Sequence, residues 1–146
     1  MLFRSEKDAV LIYTTSASEG AKRYISTNQS PYDLSIAVLV NGGTASAAEA
    51  AAAALASRKR AHIVGSKSFG KATAEGTYTL SNEMRVRFII RAMFAPQGLS
   101  WNERGIAPEV RVDASGAELT QWLGQPLERR VKNDKQLRIA WQMLRQ

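Results

Sequence analysis

The sequence of 146 residues predicts one α/β domain built around a mixed sheet, and three observations carry that prediction. A continuous apolar run, "LSIAVLV" (Leu34 to Val40), passes through Asn41-Gly42-Gly43 into an alanine-rich stretch and then into a second apolar run, "AHIVG" (Ala61 to Gly65). That order is strand, helix, strand, and strands so joined lie parallel with a right-handed crossover. On either side stand β-branched and aromatic runs broken by turn residues, the pattern of antiparallel hairpins. The third observation is the chain's amphipathic end, which predicts a closing C-terminal helix. A hydrophobic content of 45% over this length supplies one buried core.

The elements follow in order. "DAVLIYTTS" (Asp8 to Ser16) and "AKRYIST" (Ala21 to Thr27) flank a Glu-Gly turn and read as a hairpin, after which "SPY" breaks the chain. The run Leu34 to Val40 lacks alternation, so it reads as a strand covered on both faces. From Thr44 onward alanine, glutamate and leucine dominate, and the stretch ends in "SRKR", whose charges suit a helix C-terminus. "TYTL" (Thr77 to Leu80) and "EMRVRFIIRAMF" (Glu83 to Phe94) read as a long hairpin. In its second arm Met84, Val86, Phe88, Ile90 and Ala92 share the face expected to be core, while Arg85, Arg87 and Arg91 share the other. "EVRV" (Glu109 to Val112) is a last strand. Asn133 or Asp134 then caps a helix whose apolar stripe is Leu137, Ala140, Trp141 and Leu144.

Composition narrows the chemistry. With no cysteine and a single histidine, His62, the chain lacks the ligands of a zinc site and the thiols of disulfide or cysteine chemistry. Lysine, aspartate and glutamate are therefore the available general bases beside His62. No phosphate loop or dinucleotide fingerprint occurs, so no cofactor is expected, and Trp101, Trp122 and Trp141 read as packing residues. The alanine run from Ala50 to Ala56 is far short of the ~20 residues of a membrane span. "MLFRSEKDAV" has neither the apolar core nor the cleavage site of a signal peptide. A net charge of +7 favours acidic partners, but no aromatic residues interleave with the arginine face of the hairpin, and nucleic-acid binding is not expected.

Two places can carry catalysis. Ser46, with Glu49 three residues on, is an S-x-x-E capping box; Thr44 could cap the same helix instead. The same serine stands at the carboxyl end of a parallel strand, where ligand crevices form, and at a helix N-terminus, where an oxyanion is stabilised. Mounted there it can be a nucleophile, with the Ala47 N–H donating to the oxyanion. The second place is "GSKSFGKATAEG" (Gly65 to Gly76), just past the next parallel strand, which gives Lys71 a route to Ser46. Apolar neighbours Phe69, Gly70, Ala72 and Ala74 would desolvate its ammonium and favour the neutral amine that accepts a proton. Against this stands the ordinary reading of Lys67 and Lys71 as surface lysines in a glycine-containing loop.

"IAVLVNGGTASAAEA", "RAHIVGSKSFGKATAEG" and "APQGLSWNERGIAPEVRV" together resemble the carboxyl-terminal processing peptidases, or tail-specific proteases, across nearly the whole chain. The resemblance implies a partial ClpP/crotonase-like core and serine endopeptidase activity on polypeptide substrates, with Ser46 as nucleophile and Lys71 as general base. It also implies a periplasmic or otherwise exported protein. The nucleophile motif N-x-G-S-A-S-A-S-E falls on Asn41 to Glu49, with Thr44 and Ala48 in place of two serines. F-G-K-G-x-x-Q falls on Phe69 to Glu75, and the turns on Pro96 to Gly98 and Gly105 to Pro108. Glu75 stands where the family carries glutamine. Ionised and close, it would hold Lys71 protonated; protonated, it could replace the glutamine as a hydrogen-bonding partner. Leu2-Phe3 matches the family's "DLFL"-like stretch, so the chain resembles the carboxyl-terminal half of a protease domain, without the PDZ domain and the second oxyanion donor. From that follow an expectation of weak or absent activity in isolation, and a rival reading as a non-catalytic binding or structural module that dimerises over its sheet edges.

Overall fold

Hydrogen bonding sorts the strands into two separate sheets, an antiparallel one and a parallel one. This is a computed structural model that describes residues 7–29 and 33–145; Leu2-Phe3 and the Ser30-Pro31-Tyr32 break lie outside the described residues. The antiparallel sheet contains β1 (Val10–Ser16), β2 (Gly20–Ile25), β5 (Thr73–Thr79) and β6 (Arg85–Phe94), in the order β2-β1-β6-β5. The parallel sheet contains β3 (Ala37–Val40), β4 (His62–Gly65) and β7 (Val110–Arg111), in that order. The parallel strand-helix-strand unit is β3, α1 (Ala47–Ser57) and β4, with Val40 opposite Gly65.

Alternation on β3 explains its apolar run. Val38 and Val40 pack with Ala52 and Ile63 on one face, and Ala37 and Leu39 pack on the other with Val64, Val112 and Ala140. Helix α1 lies on the first face and is also covered on its far side, where Ala53 and Ala54 meet Ile12, Ala72 and Trp101. Side chains of a single methyl let one helix fit between two sheets, and the close packing of Ala52 and Ala54, each 1% exposed, reflects that. Helix α4 (Lys135–Met143) covers the second face. Gly65 is required where β3 and β4 end: its φ is +132°, and a Cβ there would stand 2.0 Å from the Val40 carbonyl oxygen.

Several expectations need correction. Asp134, and not Asn133, caps α4, accepting from the Leu137 N–H at 3.1 Å. The docked stripe of α4 is Gln136, Ile139, Ala140 and Met143, and Trp141 is 46% exposed; the Gln136 amide turns inward to donate to the Val112 carbonyl at 2.6 Å. Of the three tryptophans only Trp101 is a core residue. The face of β6 expected to be core is not the one that meets α1: Met93, on the arginine face and opposite buried Thr14, packs against the cluster of Ile12, Ala53 and Ala54, whereas Met84 and Phe88 are 57% and 50% exposed. The outer half of the β5–β6 hairpin reaches past the layers, and Tyr78 and Phe88 stack on each other there at 4.8 Å. Strand β5 also begins earlier than "TYTL", at Thr73, with an irregularity between Ala74 and Glu75. Two short surface helices, α2 (Gly116–Gln121) and α3 (Leu127–Asn133), have no buried residue and no apolar stripe from which to read them. Among the described residues no helix is long and apolar enough to cross a membrane.

Candidate active site

The turn after β3 is closed by its own polar groups. The Gly43 N–H donates to Asn41 Oδ1 at 2.8 Å, the Thr44 N–H to the Asn41 carbonyl at 2.8 Å, and the Asn41 N–H to Thr44 Oγ1 at 3.1 Å. Thr44 is therefore spent inside the turn and does not cap α1. Ser46 occupies the N-cap position with φ 55° and ψ −117°. A non-glycine residue in that region costs about 1–3 kcal/mol and persists only where its surroundings enforce it. A strained serine on a strand-to-helix turn is how a nucleophile elbow exposes its hydroxyl.

The capping box is present in outline, but only half of it is a hydrogen bond. Glu49 Oε2 accepts from the Ser46 N–H at 3.0 Å, whereas the Ser46 hydroxyl makes no capping bond. The Ala47 N–H, first in the helix, has no acceptor among the described residues. Both groups that the nucleophile reading needs are thus unspent.

The loop after β4 runs beside this turn. The Ser66 N–H donates to the Val40 carbonyl at 3.0 Å and the Phe69 N–H to the Thr44 carbonyl at 2.9 Å. Lys71 follows on the same side of the sheet. Its N–H donates to Glu49 Oε2 at 2.8 Å, the oxygen that also holds the Ser46 N–H. Two backbone nitrogens on one oxygen cannot be farther apart than those two bonds laid end to end, so the serine turn and the lysine loop are in contact.

The side chain of Lys71 does not sit as expected. Phe69 is 65% exposed and forms no wall, and the Lys71 side chain is itself 36% exposed, so its sequence neighbours do not desolvate it. Its Nζ donates to Glu75 Oε1 at 2.9 Å, while Ser46 Oγ has no partner among the described residues. Glu75 is accordingly paired, on an exposed stretch of β5. The hydrogen bond from Lys71, then the charges of Lys71 and Arg87, hold its carboxyl below the ordinary value of 4.5. Arg87 lies 3.7 Å from its second oxygen. Arg91 pairs with Glu19, so the hairpin's arginines are partly spent on carboxylates. His62 opens β4, three residues from the end that faces Ser46, roughly 10 Å away at strand rise. A triad through His62 is excluded.

Sequence reasoning missed Glu49 as more than a cap. It is 0% exposed in an otherwise alanine-lined helix, and its two oxygens receive four donors. The one available signal was a carboxylate in a helix too small-sided to hide it by bulk.

A strained serine at a helix N-terminus thus stands beside a lysine-bearing loop at the carboxyl edge of a parallel sheet, on an α/β scaffold. Residues 2–112 match the model of Peptidase family S41, and the chain belongs to that family. It is 31% identical over 116 residues to the carboxyl-terminal-processing protease of Synechocystis sp., covering 77% of this chain and 27% of that protein. It is 35% identical over 108 residues to the chloroplastic C-terminal processing peptidase of Tetradesmus obliquus, covering 73% of this chain and 23% of the relative. The solved photosystem II D1 C-terminal processing protease matches at a TM-score of 0.66 and 32% identity, over 77% of this chain and 29% of that one. An S41-type structure from Bacteroides fragilis matches 99% of this chain and 39% of its own at a TM-score of 0.72; with 15% identity it shares the fold. The chain spans less than a third of the curated relatives it matches.

Proposed function

We propose that this chain carries the nucleophile and general base of a serine endopeptidase that hydrolyses peptide bonds near protein C-termini. Lys71, as the neutral amine, takes the Ser46 proton while Oγ attacks the peptide carbonyl. The Ala47 N–H stabilises the oxyanion. Lys71 returns the proton to the leaving amine, and water then releases the acyl group from Ser46 by the same steps. No cofactor enters this chemistry, the substrates are polypeptides and not nucleic acid, and the compartment in this reading is the periplasm or an equivalent exported one, supported by the resemblance.

The observation that carries the proposal is the strained Ser46 turn, whose hydroxyl and adjacent Ala47 N–H are both unspent beside the Lys71 backbone. The Lys71–Glu75 pair describes a resting arrangement, from which Nζ turns to Ser46 by rotation of its own side chain. The test is hydrolysis of an unfolded reporter with a free C-terminus. Ser46→Ala and Lys71→Ala are each expected to abolish it, and undiminished hydrolysis in either would refute the assignment. A second reading, a non-catalytic module that dimerises, is favoured by the exposed Tyr78, Met84, Phe88 and Ile89 of the hairpin. It predicts concentration-dependent association and no Ser46-dependent hydrolysis.

A further inference from the structure

Three chain segments converge on the site, and one buried carboxylate joins them. Glu49 Oε1 accepts from Ser68 Oγ at 2.5 Å and from the Gly70 N–H at 2.7 Å. Oε2 accepts from the Ser46 N–H at 3.0 Å and the Lys71 N–H at 2.8 Å. Ser68, 5% exposed, extends the junction, because its hydroxyl also accepts from the Ile106 N–H at 2.6 Å. The third segment is further fixed by the Ser68 N–H on the Ile106 carbonyl at 3.1 Å, and Gly105 packs so closely that a Cβ there would stand 2.3 Å from the Ser68 carbonyl oxygen.

Burying a carboxylate is expensive unless donors replace its water, and here four donors do so. A helix cap needs only one of them. The other three come from the lysine loop, which ties that loop to the first turn of α1. The Ser46 N–H bond also fixes the orientation of the peptide at the residue whose φ is 55°.

We propose that Glu49, with Ser68 as its partner, is a positioning residue: it holds the Ser46 backbone in its strained conformation and sets the Lys71 loop at working distance from it. The proposal rests on the peptidase reading of Ser46 and Lys71. Glu49 touches no reacting atom and acts through the two residues that do.

The test uses the chain with Glu49→Gln and Ser68→Ala, read by amide hydrogen exchange and by acylation with an activated peptide ester. Glu49→Gln puts an amide NH₂ where an oxygen met a donor. Exchange at Gly70 and Lys71 is expected to rise by about tenfold or more, while that of β4 stays unchanged. The acylation rate at saturating ester is expected to fall about 10²-fold with the half-saturating ester concentration held, as misplacement of reacting groups predicts. Ser68→Ala removes one donor and is expected to move both readouts in the same direction by less; it decides the matter if Glu49→Gln does not fold. Unchanged exchange at Gly70 and Lys71 in the folded variants would overturn the proposal. So would acylation that falls only in proportion to the unfolded fraction. Ser46→Ala separates the two levels: if it leaves acylation intact the peptidase reading has failed, whereas the exchange result judges the Glu49 junction by itself.

Discussion

Ser46 and Ser115 open the same four-residue pattern, serine with glutamate three residues on, and the backbone treats them oppositely. Ser115 is extended at φ −70° and ψ 160°, and its hydroxyl accepts from the Glu118 N–H at 3.2 Å while Glu118 accepts from the Ser115 N–H at 2.7 Å. Ser46 makes only the second of those bonds, at φ 55°. The motif was read at Ser46 alone, and its strain there was not legible, because strain is set by contacts from the lysine loop, distant in sequence. This difference yields a stability prediction. Ser46→Gly relieves a conformation worth about 1–3 kcal/mol, less the ~0.5–1 kcal/mol that glycine loses in backbone entropy. It is therefore expected to melt at a higher temperature than Ser46→Ala, although both lack the hydroxyl; equal melting temperatures would remove the strain argument. Glu75 supplies the pH prediction. Its carboxylate accepts from Lys71 Nζ at 2.9 Å, and Glu75→Gln removes that neighbouring negative charge, so the acidic limb of the pH–rate profile is expected to move to lower pH. The sign for folding is separate: Glu75 has a lowered folded pKa, so its pair stabilises above pH 4.5 and is lost as pH falls through the lower folded value. The stability gap between wild type and Glu75→Gln, followed by denaturant titration, is expected to narrow over that acid range.

The strand-helix-strand unit was readable because each of its signals is local: an apolar run, a turn of Asn-Gly-Gly, an alanine helix and a second run. Division into two sheets was not readable, because composition does not show which strand edges meet. The hairpin misled for a related reason. Alternation on β6 separates two faces but does not say which one meets a layer: the face of Met84 and Phe88 is exposed, and the arginine face supplies Met93 to the core. In α1 the alanines are a fit requirement and more than a helix preference. Ala54→Leu, at a position 1% exposed between α1 and the antiparallel sheet, is expected to cost about 1–3 kcal/mol in chemical denaturation through overpacking. A neutral result would mean that the two sheets do not close on the helix as described. Asp134→Ala removes the cap of α4 and is expected to cost about 0.5–2 kcal/mol, with no effect on Ser46 chemistry because α4 lies on the opposite face of the parallel sheet.

At the scale of the molecule, two sheets, one helix between them and one helix outside bring the carboxyl ends of β3 and β4 together and place the serine and lysine loops at one edge. The order of the three sequence motifs was legible because that edge collects loops from successive parallel strands. Their junction through Glu49 was not, since it depends on side-chain burial in three segments. The Ala47 N–H is the oxyanion donor proposed here, and removal of such a donor typically lowers turnover ~10²–10³-fold. Acylation is a more direct readout than turnover. The central claim, that Ser46 and Lys71 form one nucleophilic site, is tested by treating the chain with a serine-directed electrophile at alkaline pH and mapping the adduct by mass spectrometry. The account predicts a single adduct on Ser46, absent in Ser46→Ala and strongly reduced in folded Lys71→Ala; labelling at other serines, or equal labelling of Ser46 without Lys71, would contradict it.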